Sequence, residues 1–232
     1  MSASGTLYIV ATPIGNLGDI TLRALETLKG VDAVLSEDTR VTGKLLMHFD
    51  IRKPLVSFHE HTDAKKAATL IERLSAGESL ALVTDAGTPG LSDPGNVLVE
   101  LAVAAGIRVV PIPGVSALAA IISVAGIDMR EFLFLGFPPH KKGRETFFKQ
   151  VAAAEMPVVY YESVHRVVKN LELLEMLTSD KKVIVGRELT KMFEEIRRGT
   201  VGEMRAYYQE NADKVKGEFV MIIYDAKKDR MK

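Results

Sequence analysis

Four short runs, LYIVAT (7–12), AVLSE (33–37), SLALVT (79–84) and IRVVPI (107–112), are apolar and rich in β-branched residues, and a helical pattern lies between each and the next. Leu22, Leu25 and Leu28 mark one side of the first helix. Ala67, Leu70, Ile71 and Leu74 mark one side of a second near 63–76, stopped by Gly77. Val97, Leu98, Leu101 and Ala105 mark a third, ended by Gly106. A pattern that switches between period two and period 3.6 predicts strands joined by helical crossovers, hence mainly parallel sheets covered by helices on both faces. From Ser116 the pattern restarts with a helix of small residues, followed by FLFLGF (132–137), PVVYYES (157–163), KVIVGREL (182–189), EEIRRGT (194–200) and GEFVMIIY (217–224). The fold class expected is therefore α/β, with two αβα domains, 1–112 and 113–232.

Composition narrows the function. Lys plus Arg and Asp plus Glu both total 30, so the molecule as a whole does not attract polyanions, and any nucleic-acid site must be a local patch. With no cysteine, disulfides and thiolate metal sites are excluded. The start, MSASGTLYIV, lacks the regions of a signal peptide, and a cytoplasmic location is expected. The longest charge-free stretch, Val109 to Ile127, is broken by Pro111, Pro113 and Gly114. That leaves a helix too short for a hydrocarbon core about 30 Å thick.

Three loops follow strand-like runs. In TPIGNLGDITLRAL (12–25), Gly15 and Gly18 permit a tight turn, with Asp19 or Thr21 as helix cap. Pro13 and Ile14 stand where a dinucleotide fingerprint needs its first glycine, and no Gly-Lys-Ser/Thr follows to make a P-loop. The second loop, TDAGTPGLSDPG (84–95), holds Asp85 and Asp93 and no Lys or Arg. Carboxylates repel phosphate, so this loop suits a cationic or hydroxyl-rich ligand such as a sulfonium bearing an ammonium group. Its plain structural reading is a strand-to-helix turn with Asp93 as cap. The third loop, PIPGVSAL, offers Ser116 as a cap and donor. Three such loops after three strands point to a single cleft.

Together YIVATPIGNLGDIT, LSEDTR, TDAGTPGLSDPG, PIPGVSA and FLGFPP resemble the tetrapyrrole methylase family, over nearly the whole chain. Gly87, Thr88 and Pro89 stand where most of that family has Gly-Asp-Pro, which is similar to its ribosomal RNA branch and argues against a porphyrinoid substrate. The resemblance implies S-adenosylmethionine as methyl donor, folded in a cleft between two α/β domains. It implies a homodimer, and methyl transfer to the ribose 2′-hydroxyl of a cytidine in small-subunit ribosomal RNA. It also implies donor contacts from Pro13, Asp85, Ala86, Gly87, Thr88, Leu91, Ser92, Asp93, Ser116 and Ala117, and from Leu135, Tyr161, Leu189 and Gly217. Read as residue types alone, Leu135, Tyr161 and Leu189 are core.

A ribose hydroxyl is a weak acid, and the candidates for its base are Asp38, His59, Glu60, His61, Glu162 and His165. In LSEDTR, Arg40 is a candidate phosphate clamp and Glu37 or Asp38 can orient a hydroxyl; the alternative is a salt-bridged helix start. His59 and His61 are two apart, but no third ligand accompanies them, and no metal is expected. RNA contacts are expected from His140, Lys141, Lys142 and Arg144, then His165 with Arg166, Arg187 and Lys191. Their alternative is a solvated face. Phe58, Phe137 and Tyr161 are candidates to stack a flipped cytosine, or else core. Two competing functions are a small-molecule methyltransferase of the same fold acting on a tetrapyrrole, and a non-catalytic module that binds the nucleoside cofactor.

Overall fold

Successive side chains of a strand point to opposite faces, and in the first sheet this sends Leu80 and Leu82 to one core, Ala81 and Val83 to the other. The computed structural model describes residues 4–59, 62–92, 96–178 and 180–225. The chain divides into two compact units, Met1–Ser116 and Ala117–Lys232.

In the first unit β1 (Thr6–Val10), β2 (Ala33–Ser36), β3 (Leu55–Ser57), β4 (Leu80–Leu82) and β5 (Arg108–Ile112) form a sheet of order β3-β2-β4-β1-β5. Every pairing in it is parallel, as the sequence pattern implies. Leu7, Leu35, Leu80 and Leu82 pack against Leu70 and Leu74 of α3 (Ala64–Ser75) and Leu98 of α4 (Asn96–Ala104). On the other face Val10, Val34, Ala81 and Ile112 meet Ala24 and Leu28 of α1 (Leu22–Gly30) and Leu46 of α2 (Thr39–His48). Two details differ from expectation. Leu22 is 80% exposed, because α1 turns Ala24 and Leu28 inward and puts its first residue on the outside. The pair α2 and β3 fills a stretch in which the sequence pattern marks no strand, since β3 is three half-buried residues at the sheet edge.

The second unit starts with α5 (Ala117–Ser123) and builds a sheet of order β6-β7-β10-β8-β9 from β6 (Leu133–Phe134), β7 (Val158–Ser163), β8 (Lys181–Arg187), β9 (Glu195–Thr200) and β10 (Glu218–Asp225). Here the expectation of a mainly parallel sheet is corrected. Only β6 and β7 pair parallel, while β7–β10, β10–β8 and β8–β9 are antiparallel. The link from Arg187 to Glu195 is too short for the dozen or more residues a parallel crossover needs. β7, α7 (Val167–Leu177) and β8 do make a parallel unit, but β10 slots between its two strands in the opposite sense.

One large core lies under α6 (Arg144–Ala153), α7 and α8 (Val201–Glu210), where Phe148, Leu171, Leu174, Met204 and Tyr208 meet Tyr160, Val185 and Met221. α8 begins with a reciprocal cap: Thr200 Oγ1 accepts from Glu203 N–H, and Glu203 accepts from Thr200 N–H. On the opposite face the sheet approaches α5 closely at Gly186. A Cβ there would lie 2.8 Å from Ile121 Cδ1 and 2.9 Å from Val220 Cγ1. Ile121 and Val220 are both buried, so neither can give way freely. Gly186→Val is therefore expected to lower unfolding free energy by about 1–3 kcal/mol in urea titration, the usual cost of overpacking; an unchanged midpoint would show that the contact yields.

Candidate active site at the carboxyl end of the first sheet

All five strands of a parallel sheet end on the same side, so the loops after β1, β4 and β5, which are neighbours in the sheet, must meet there. Hydrogen bonds strap them together. Thr12 N–H donates to Gly87 O at 2.8 Å and Gly87 N–H donates to Thr12 O at 3.0 Å. Thr12 Oγ1 donates to Thr84 O at 3.0 Å, and Thr88 Oγ1 donates to Val115 O at 3.2 Å. Gly87 takes φ +87°, a backbone conformation that favours glycine, and at Gly114 a Cβ would meet that of Ala11 at 2.9 Å. The glycines thus let three backbones lie against one another.

The floor so made has unmatched polarity. Among the described residues the buried side-chain atoms lacking a hydrogen-bond partner include Ser36 Oγ, Thr84 Oγ1, Ser116 Oγ and Asp19 Oδ2. Each follows or ends a different strand of this sheet, β2, β4, β5 and β1. An unpaired buried polar group costs about 1–3 kcal/mol, and these four, on the strand ends and loops at the carboxyl end of one sheet, are open to bonds from a ligand or from water. Ser92 adds strain, holding φ +64° in the loop after β4. Pro13 is buried, Asp85, Ala86, Thr88 and Leu91 are half-buried along this floor, and Asp93 lies outside the described residues.

Asp85 Oδ1 accepts Asp38 N–H at 3.1 Å and so ties the loop after β4 to the start of α2. Asp38 is the N-cap of α2. Its Oδ1 accepts Arg40 N–H at 2.8 Å, and its carboxylate takes Arg40 Nε at 3.0 and 3.2 Å. Those bonds from Arg40, first its side chain and then its backbone N–H, hold the Asp38 carboxyl at about 2. This corrects Asp38 as a candidate base: both oxygens are engaged and the group is too acidic to take a ribose proton near neutral pH. Arg40, with its side chain 87% exposed, remains displayed to solvent by that cap. Glu37 is half-buried beside it, His59 N–H donates to Thr62 Oγ1 at 2.8 Å, and Glu60 and His61 fall outside the described residues. Phe58 is 5% exposed and belongs to the core, which removes it as a stacking residue.

In the second unit the strand register sets Tyr161, Leu189 and Gly217 toward one end of the sheet, with Glu218 opposite Ser163 and Phe219 opposite Arg187, and Leu135 follows the parallel strand β6. Tyr161 packs its ring 5.2 Å from those of both Phe134 and Phe137. Leu189 sits between two non-glycine residues in the left-handed region, Glu188 (φ +51°) and Thr190 (φ +67°), and Thr190 Oγ1 is buried without a partner. Left-handed backbone costs a residue such as Thr190 about 1–3 kcal/mol and is kept where the local structure over-determines it. Here Glu188 Oε1 accepts from Glu218 N–H at 2.9 Å and Lys191 Nζ at 2.8 Å, and Thr190 N–H donates to Glu194. Gly217 takes φ +84°, the left-handed region that favours glycine, and the Glu188 side chain lies directly against it.

The basic residues divide. Arg187 is 5% exposed and committed to Glu195 and the Phe193 carbonyl, and Lys191 is paired with both Glu188 and Glu218; neither is available to phosphate, which corrects both as RNA contacts. His140, Lys141, Lys142 and His165 are exposed, Arg144 is half-buried, and Arg166 donates to the carbonyls of Pro138 and Pro139. Glu162 is 3% exposed at the end of β7. The residues that the sequence pattern passed over are Ser36, Thr12, Thr84, Asn170 and Thr190; only their place at a strand end or in a buried network distinguishes them.

The Asp38 geometry has a direct check. Its carboxyl is depressed in the folded chain, so its support of α2 is full above the ordinary aspartate range near 4 and fades as pH falls toward 2. Carboxyl-detected NMR titration is expected to place Asp38 near 2, and a value near 4 would contradict the cap and ion pair.

Comparison with known proteins agrees with this geometry. The model of the family Tetrapyrrole (Corrin/Porphyrin) Methylases matches residues 6–205. The Escherichia coli O157:H7 protein Ribosomal RNA small subunit methyltransferase I is 46% identical over 224 residues, covering 96% of this chain and 78% of its own length. The Synechocystis protein of the same name is 46% identical over 224 residues, 96% and 80% of the two chains. Among solved structures, a diphthine synthase superposes with a TM-score of 0.74 at 16% identity, over 95% of this chain and 90% of its own. A cobalt precorrin-4 methyltransferase superposes with 0.71 at 18%, over 94% of each. Such likeness at low identity shows the fold alone. The family match across most of the chain, and relatives near half identical over almost all of it, show that this chain belongs to the tetrapyrrole methylase family.

Proposed function

We propose that the protein is an S-adenosylmethionine-dependent methyltransferase that methylates the ribose 2′-hydroxyl of a cytidine in small-subunit ribosomal RNA. The observation that carries this reading is its 46% identity, over 96% of the chain, to proteins named for small-subunit ribosomal RNA methylation. Gly87, Thr88 and Pro89 in the loop after β4 support the RNA substrate over a porphyrinoid.

The donor fits the floor of the first unit. It is a cation with an ammonium group, hydroxyls and an adenine edge, and the floor offers Asp85, Asp19 Oδ2 and three unpartnered hydroxyls, of Ser36, Thr84 and Ser116, with no lysine or arginine in the loop after β4. Pro13, Ala86, Gly87, Thr88, Leu91, Ser92 and Asp93 complete that set, with Ala117 beyond Ser116. For Leu135, Tyr161, Leu189 and Gly217 of the second unit, a part in donor binding rests on the family resemblance alone. When bound, the donor supplies an electrophilic methyl carbon. The chain's own residues hold and orient the reactants, an effect worth about 7 kcal/mol or more when the geometry is near attack. In this reading Arg40, exposed although paired with Asp38, is the phosphate clamp of the first unit, and the exposed Lys141 and Lys142 are RNA contacts of the second.

A homodimer goes with this reading. α4 turns Leu98 and Ala102 to the core yet exposes Val97, Leu101 and Val103 beside Asn96 and Glu100, an apolar outer stripe that a second copy would cover. Small-subunit RNA is met in the cytoplasm, and the protein is placed there.

The test is methyl incorporation into small-subunit RNA from labelled donor, mapped by reverse-transcription stops at low dNTP. The expected result is one cytidine ribose stop. Arg40→Ala should lower kcat/KM for RNA about 10–100-fold, the worth of charge-assisted bonds to phosphate, with donor affinity unchanged. Label in a porphyrinoid and none in RNA would instead assign the tetrapyrrole reaction, and donor binding without transfer to naked RNA, subunits or assembly intermediates would leave a binding module.

A further inference from the structure

Glu162 is a buried carboxylate in a protein that has exposed acids to spare, and burying one costs several kcal/mol unless it is fully bonded. Its bonds all point one way. Oε1 accepts Ser163 N–H at 2.7 Å, and Oε2 accepts Nδ2 of Asn170, itself 1% exposed, at 2.7 Å. From there the chain of contacts runs outward. Asn170 N–H donates to Arg166 O at 2.8 Å, and Arg166 N–H to Ser163 O at 2.9 Å, closing the turn between β7 and α7. The Arg166 guanidinium then reaches across to the carbonyls of Pro138 and Pro139 at 3.3 and 3.4 Å. Those prolines begin the loop that carries His140, Lys141 and Lys142 into Arg144, the first residue of α6.

We propose that Glu162 is a positioning residue for RNA: through the 163–166 turn and Arg166 it fixes the basic loop 138–144, and it is not the base that takes the ribose proton. The inference rests on the RNA reading above. Its surroundings set it against a base. Each oxygen accepts from a donor of the chain itself and the carboxylate is 3% exposed, whereas a base must come within hydrogen-bond reach of the hydroxyl. Burial raises its carboxyl, against the pull of the Asn170 and Ser163 bonds and the charges of Arg166 and Arg144; that direction alone would suit a base, so the enclosure decides.

The network supplies its own test, because Asn170 Oδ1 is buried without a partner. A 180° turn of the Asn170 amide lets the amide of Glu162→Gln donate to that oxygen while its carbonyl still accepts Ser163 N–H. The brace survives and only the charge is lost. Steady-state kinetics on small-subunit RNA at saturating donor should therefore find Glu162→Gln within about threefold of wild type in kcat and KM. Glu162→Ala, and Arg166→Gln, which spares Glu162, should raise KM for RNA about tenfold with kcat and calorimetric donor affinity nearly unchanged, as expected when bonded loop contacts are lost. A fall in kcat of about 100-fold or more in Glu162→Gln with KM unchanged would identify a base and overturn the proposal. An unchanged KM in Arg166→Gln would overturn it too, even if Glu162→Ala failed to fold. Wild-type protein that transfers nothing to RNA would instead count against the proposed reaction.

Discussion

The paired hydrogen bonds between Thr12 and Gly87 are the interaction on which the site depends. They join the loops of two neighbouring strands directly, and Thr12 Oγ1 and Thr88 Oγ1 extend the join to the Thr84 and Val115 carbonyls. The unmatched atoms of Ser36, Thr84, Ser116 and Asp19 lie on the strand ends and loops at that same end of the sheet, buried groups to which a ligand can bond. The absence of Lys and Arg from residues 84–95 decides the sign of that ligand.

The second unit follows the same logic with different geometry. A strand inserted antiparallel brings Glu218 beside Glu188, and the carboxylate–lysine cluster so formed holds Leu189 between two left-handed residues. Charge that looks from sequence like an RNA contact is spent on holding backbone. The exposed positive charge lies elsewhere, on the 138–144 loop that Arg166 pins.

Much of this was legible in the sequence. Apolar runs of period two separated by helical patterns give α/β units, and Leu80 through Val83 serve two cores as alternation requires. Strand direction was not legible, because GEFVMIIY has the same period whichever way it runs; only the short link from Arg187 to Glu195 hints at antiparallel pairing. The three loops were legible from their glycines and prolines. The orphaned hydroxyls were not, since a serine at a strand end reads alike whether or not its oxygen finds a partner. For the same reason Asp38, Arg187 and Lys191 looked available: the sequence gives a charge but not the partner that neutralises it.

The central claim is that the donor binds on the strapped loops at the carboxyl end of the first sheet. Hydrogen–deuterium exchange of the free chain, with and without S-adenosylmethionine, tests it most directly. Protection on donor addition should concentrate in residues 12–19, 84–92 and 113–116, where opening of the loops is suppressed by a ligand that fills their unmatched bonds. Protection confined to other segments, with these three unchanged, would contradict the account.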